Sequence, residues 1–195
     1  MSVVTESRGR VRSAWVVAHR PVAGVPRWAR VAAFAVPLVV LPSSAWRVAV
    51  CVLHLPVADG MDGWDGPGPV PLELYVLGLS VVSELLAFTA VGLVAAWGEV
   101  FPRWVPFWRG RRVPTGLAVV PGAVGSAALT VLWTALLAGL AFGRAPRGAD
   151  GGTSPLNVHD WRGVLALACY VPLILWGPLL AAVTYAYYRR RAHGR

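Results

Sequence analysis

Four long apolar runs, separated by polar stretches rich in glycine and proline, dominate the hydropathy pattern of the chain. Each run is longer than the ~20 residues that a helix needs to cross the hydrocarbon core of a bilayer. The pattern predicts an all-α fold, a bundle of four membrane-spanning helices with a basic tail at each end. The predicted helices cover about residues 31–55, 72–97, 115–142 and 163–188, and the predicted tails cover residues 1–30 and 189–195.

The first apolar run admits a second interpretation. Residues 31–41 have the length of the apolar region of a secretory signal peptide, and Ser-Ser-Ala at residues 43–45 resembles a small-residue cleavage site. The long basic segment before the run and the renewed apolar stretch at residues 48–55 favour a retained helix. Cleavage after the first part of the run stays open as the alternative.

Composition agrees with a membrane protein. Hydrophobic residues make up 56% of the chain and charged residues 14%, whereas a soluble domain carries about 25% charged residues. The net charge of +9 comes entirely from arginine, because the chain has no lysine. These arginines flank the apolar runs and do not form one basic face, which argues against nucleic-acid binding. We expect the partners to be the lipid bilayer and its anionic head groups.

The distribution of the arginines predicts the topology. Six precede residue 31, four lie in the loop at residues 98–114 and four in the C-terminal tail, but the stretch at residues 56–71 has none. Basic residues in short loops stay on the cytoplasmic side. We therefore expect an up-down-up-down bundle in the cell membrane, with both termini cytoplasmic and the loops at 59–65 and 157–162 outside.

Glu84, close to the middle of the second run, is the most distinctive polar residue of the predicted bundle. A carboxylate in hydrocarbon is costly, so such a group faces the bundle interior, pairs with a cation or becomes neutral. Ser80 and Ser83 can bond to it, and Arg47 of the first run is its natural partner, although Glu73 also lies within that arginine's reach. Glu84 is then either a proton or ion site or a glutamate that determines helix packing. An unpaired Arg47 would instead extend towards the membrane surface.

The third run carries small and hydroxyl-bearing residues at four-residue spacing. Such a stripe lets helices approach closely in lipid, and we assign it to helix packing in preference to a pore lining. The stripe comprises Gly122, Ser126, Thr130 and Thr134, with Ala118 and Ala138 at its two ends.

Candidate ligands for metals are scattered and lack a metal-site spacing. Cys51 and Cys169 lie at comparable depth in the first and fourth runs, so a disulfide is possible, but two free thiols are the simpler interpretation. Histidines and aspartates form a second group in the two loops expected outside, where solvated side chains are the simplest interpretation. They are His54, Asp59, Asp62, Asp65, His159 and Asp160. We expect no metal and no cofactor.

The loop after the second run contains a motif, WGEVFPRWVP followed by GRRVP at residues 110–114. Its most distinctive positions are Trp97, Gly98, Glu99, Pro102, Arg103, Trp104 and Pro106. With Pro-Ser-Ser at residues 42–44, Trp46-Arg47 and Ser83-Glu84, the motif resembles that of uncharacterised small four-span membrane proteins of actinobacteria. The resemblance covers roughly residues 42–133. It implies a location and a topology and transfers no activity.

These observations favour a non-enzymatic membrane component, an accessory subunit or a homo-oligomer, because the sequence contains no catalytic motif and the loops are short. A small transporter or proton-coupled carrier that uses Glu84 and Arg47 is the alternative. A membrane enzyme built on the loop histidines and aspartates is a third reading.

Overall fold

The computed structural model describes residues 24–57, 69–95, 114–141 and 160–193, and among these it contains helices and no strand. The helices are α1 (Arg27–Cys51), α2 (Leu72–Gly92), α3 (Thr115–Ala141), α4 (Trp161–Tyr170) and α5 (Trp176–His193), with a 3₁₀ segment, Val171–Leu175, between the last two. We call α4, the 3₁₀ segment and α5 together the fourth span. The prediction of an all-α chain with four helices long and apolar enough to cross a membrane is confirmed.

Helix α1 begins and ends four residues earlier than the apolar run predicted. Pro26 precedes its first turn, and the carbonyl of Pro26 accepts the amides of Ala29 and Arg30 at 3.1 and 3.3 Å. At the other end, His54 has a φ of 52°, a left-handed conformation that a right-handed helix cannot contain. Hydropathy misplaced the first end because Arg27 and Arg30 are polar and yet arginine is a good helix former, and it misplaced the second because it does not report backbone conformation.

The fourth span is interrupted at its first proline. Helix α4 ends at Tyr170, and Pro172 stands within the 3₁₀ segment that follows. A proline has no backbone donor and its ring clashes with the carbonyl of the preceding turn, which explains a break at this position. Pro178 lies in the first turn of α5, where a missing amide costs no hydrogen bond within the helix.

The helices form an open arc, because α1 packs against α2 and the fourth span, and α3 packs against the fourth span. Helix α2 also contacts α5, but the backbones of α2 and α3 do not approach each other within their described ranges. Three buried clusters hold the arc together. The Val36 cluster contains Val36, Val40, Ala87, Ala90, Leu173 and Trp176; the Cys51 cluster contains Trp46, Val50, Cys51, Val76 and Ala166; and the Val183 cluster contains Ala32, Ala33, Val94 and Val183.

Candidate functional site

Arg47 occupies the contact between α1 and α2 and is bonded to hydroxyl groups. Its Nε donates to Ser80 Oγ at 3.3 Å, and its Nη2 donates to Ser44 Oγ, one turn earlier on α1, at 3.2 Å. Two helices thus contribute hydroxyl groups to one half-buried cation.

The ion pair expected between Arg47 and Glu84 is not formed in the described part of the chain. Glu84 is one turn beyond Ser80 on α2, and Ser80 intercepts the guanidinium. The Oε1 atom of Glu84 is enclosed and has no hydrogen-bond partner. An unsatisfied carboxyl oxygen in this position costs free energy, about 1–3 kcal/mol for a neutral group.

Glu84 lies at the outside of the bundle, at the seam between α1 and α2. It is shared by two shallow hollows of about 430 and 460 Å³, one on each side of the carboxyl group. Exposed apolar side chains border both hollows. They are Leu41 and Leu53 of the α1 side and Leu77, Val81, Leu85 and Phe88 of α2. The carboxyl group therefore faces the surface that the bilayer or another membrane helix would cover.

The buried face of α2 explains this direction. Val76, Ser80, Ala87 and Val91 are buried and follow one another at intervals of four, seven and four residues, which places them on one helix face. Glu84 stands beside this face and is half-buried, as is Ser83. The glutamate is thus neither in the bundle interior nor fully exposed.

Glu73 is separate from this group. It belongs to the first turn of α2, and its Oε1 lies 3.8 Å from His54 Nε2. The side chain of Glu73 is 49% exposed and that of His54 is 70% exposed, so this is a surface contact that water screens. Glu73 therefore does not join Arg47, Ser80 and Glu84 in one site.

The small-residue stripe of α3 faces the fourth span. A Cβ atom on Gly122 would lie 2.6 Å from Thr184 Oγ1, and one on Gly177 would lie 2.6 Å from the Thr130 amide nitrogen and 2.8 Å from the Ser126 carbonyl. The hydroxyls of this contact are satisfied locally, as Thr130 donates to the Ser126 carbonyl at 2.7 Å. The last residue of the stripe, Thr134, is exposed.

Two free cysteines and three aromatic rings surround the Arg47 site. Cys51 is buried in the Cys51 cluster, against which Cys169 packs. Tyr170 makes an edge contact with Trp46 at 5.6 Å between ring centroids and a tilted one with Trp133 at 6.2 Å. The sequence analysis missed these aromatic contacts because Tyr170, Trp46 and Trp133 come from three different helices. Ser44 lies three residues before Arg47, and this helical spacing alone could have indicated that the two side chains meet.

Several predicted positions lie outside the described residues. They are the motif positions Trp97, Gly98, Glu99, Pro102, Arg103, Trp104 and Pro106, together with Asp59, Asp62, Asp65 and His159. Within the segments that the structure describes, no group of three or more His, Cys, Asp or Glu side chains is placed to hold a metal ion. Arg47 and Glu84, at the contact between α1 and α2, are therefore the candidate functional site.

Comparison with protein-family models, with curated proteins and with solved structures finds no match to this chain.

Proposed function

We propose that the chain is a multi-pass protein of the bacterial cell membrane, with an up-down-up-down bundle and both termini in the cytoplasm. The order of the buried clusters supports this topology. The Val183 cluster joins the beginning of α1 to the residues after α2, and the Cys51 cluster joins the end of α1 to the beginning of α2. The arginine-rich tails and central loop supply the orientation. Membership among the small four-span actinobacterial proteins is part of this proposal.

Its function, in this proposal, is that of a non-enzymatic membrane component that assembles with another membrane helix. The observation that carries it is the carboxyl group of Glu84, which is half-buried between two open hollows at the outer seam of α1 and α2 and has no hydrogen-bond partner among the described residues. Polar groups at membrane depth require a partner, and lipid tails offer none. A helix that covers the two hollows can donate a hydrogen bond to this carboxyl group, from a second copy of the chain or from a different subunit.

A carrier is the second candidate, and one observation favours it. Arg47 and Glu84 come from facing turns of α1 and α2 but form no ion pair, which leaves a cation and a carboxyl group available to different partners. Carriers, however, hold their ionisable groups towards the interior of the bundle or a water-filled cavity. Glu84 lies between exposed apolar side chains, so we place assembly first. If proteoliposomes of Glu84→Gln lost a proton flux that the wild type and Thr89→Val both show, the carrier would take first place.

The test of assembly is the size of the full-length protein in mild detergent. We expect the wild type to elute as a complex larger than one copy, measured by light scattering. Glu84→Leu removes the acceptor and should weaken the complex roughly three- to twentyfold, the range of membrane hydrogen bonds. Glu84→Gln keeps a carbonyl acceptor and should retain most of it. Thr89→Val is the matched control, because the Thr89 hydroxyl on the same helix is already satisfied by the Leu86 carbonyl at 2.6 Å.

Two results would contradict assembly through Glu84. One is a wild type that elutes as a single copy without a stoichiometric partner. The other is a complex that Glu84→Leu and Thr89→Val weaken to the same extent.

A further inference from the structure

A cleft separates α2 from α3, with the fourth span as its floor. Its volume is about 550 Å³. The walls carry one polar side chain, Thr89, whose hydroxyl is bonded to its own helix. Leu86 of α2 and Leu93, the residue after α2, line one side of the cleft. Leu117 and Leu129 of α3 line the other, and Trp176 and Leu180 of α5 line its floor. Its volume is in the range of small-molecule sites, roughly 300–1,000 Å³.

The length of the cleft matches one leaflet of a bilayer. On α3 it extends from Leu117 to Leu129, which is about 18 Å at ~1.5 Å per residue. Half of a hydrocarbon core of about 30 Å is about 15 Å. At its deep end Leu129 packs against the Val36 cluster, which closes the cleft. A membrane-spanning partner helix would need a groove that runs through both leaflets, whereas a lipid acyl chain needs a groove in only one leaflet.

The other end of the cleft is basic. Leu93 lines the cleft, and its carbonyl accepts a hydrogen bond from Arg190 Nη2 at 3.4 Å. Arg189 and Arg191 are its neighbours on α5, and both Arg190 and Arg191 stack on Tyr187, at 5.5 and 5.7 Å from the ring centroid. The bond to the Leu93 carbonyl holds the Arg190 guanidinium beside this end of the cleft, at the level where a lipid phosphate would lie above its chain.

We propose that the cleft binds one anionic phospholipid, with an acyl chain between α2 and α3 and the phosphate at Arg190. Small residues on a membrane helix often mark a place where a partner helix packs. Here Gly122 of α3 already packs against Thr184 of the fourth span, so the small residues of the cleft do not call for a further helix. The proposal is independent of the assembly through Glu84, which uses the opposite side of α2. Lipid occupancy and oligomeric state are measured separately, so either proposal can fail alone.

The experiment titrates delipidated full-length protein in mild detergent with phosphatidylglycerol or phosphatidylcholine of identical chains and measures bound lipid by native mass spectrometry. We expect the wild type to bind one phosphatidylglycerol more tightly than phosphatidylcholine. Arg190→Gln should reduce this preference about fivefold, the contribution of one arginine near anionic lipid. Arg190→Lys should preserve it, and Arg162→Gln, at the other end of the fourth span, should leave it unchanged.

A second pair of variants tests the acyl chain. Ala128→Phe adds a ring inside the cleft and should reduce the occupancy of both lipids, whereas Ala127→Phe, at the exposed neighbouring position outside it, should not. The proposal would be overturned if the wild type bound the two lipids equally. It would also be overturned if Ala128→Phe and Ala127→Phe had equal lipid occupancy. A crosslink between two copies of the Ala128→Cys variant would overturn it as well, because a second copy would then fill the cleft.

Discussion

Gly177 of α5 lies directly against the backbone of Thr130 on α3. A Cβ atom at Gly177 would come within 2.6 Å of the Thr130 amide nitrogen and 2.8 Å of the Ser126 carbonyl oxygen. Both are backbone atoms, which cannot turn aside as a flexible side chain can. This contact joins α3 closely to the fourth span.

The first prediction is that Gly177→Ala destabilises the protein. Forcing a methyl group into this contact should cost about 1–3 kcal/mol, since the two helices must separate. Gly78→Ala is the control, because a Cβ atom there meets nothing within 4 Å and alanine is the better helix former. Thermal aggregation in detergent measures both variants. A similar midpoint for the two would mean that α3 and the fourth span are not in close contact.

The second prediction concerns the partner of Arg47. Because its Nε donates to Ser80, Arg47→Leu and Ser80→Ala should couple by about 0.6 kcal/mol and at most ~1.7 kcal/mol, as membrane hydrogen bonds do. The Arg47→Leu and Glu84→Gln pair should be nearly additive, since the structure holds no ion pair between them. Double-mutant cycles of thermal stability measure both couplings. Strong coupling to Glu84 with none to Ser80 would reverse the assignment.

The third prediction is an intramolecular crosslink between Cys51 and Cys169. Both thiols are free, and both belong to the surroundings of the Cys51 cluster, where α1 meets α4. Mild oxidation of membranes should therefore join them if their Cα atoms approach within ~4.4–6.8 Å. The readout is a mobility shift on a non-reducing gel that reductant reverses and that Cys51→Ala and Cys169→Ala each abolish. A shift that survives either substitution would indicate a crosslink between copies.

The fourth prediction is the orientation of the chain. Reporter fusions at residue 195 and within residues 98–114 should read cytoplasmic, because arginine-rich segments stay on that side. A fusion within residues 59–66, which contain no arginine, should read external. An external signal at residue 195 would exclude a four-span topology with both termini inside.

Much of the α3 contact could be foreseen from the sequence, whereas the Glu84 environment could not. Gly122, Ser126 and Thr130 are small residues in a helix of large apolar ones, so the side that permits close approach is visible in the sequence. Helix α2 is mostly apolar, and its few polar side chains are too sparse for hydropathy alone to indicate which way the helix turns. The direction of Glu84 was therefore open until the packing of α2 was known.

The sequence alone determined the four membrane-length spans of the described part of the chain and their approximate extent, because a long apolar run has to span hydrocarbon with all its backbone groups bonded within the helix. It did not determine their ends, since hydropathy reports the preference for lipid whereas Pro26 and His54 act on the backbone. Only the tertiary structure decided that Arg47 bonds to Ser80 and that Glu84 faces outward, because both follow from the rotation of α2 against α1. That rotation results from the packing of Val76 and Ala87 in two separate clusters, which no local pattern encodes.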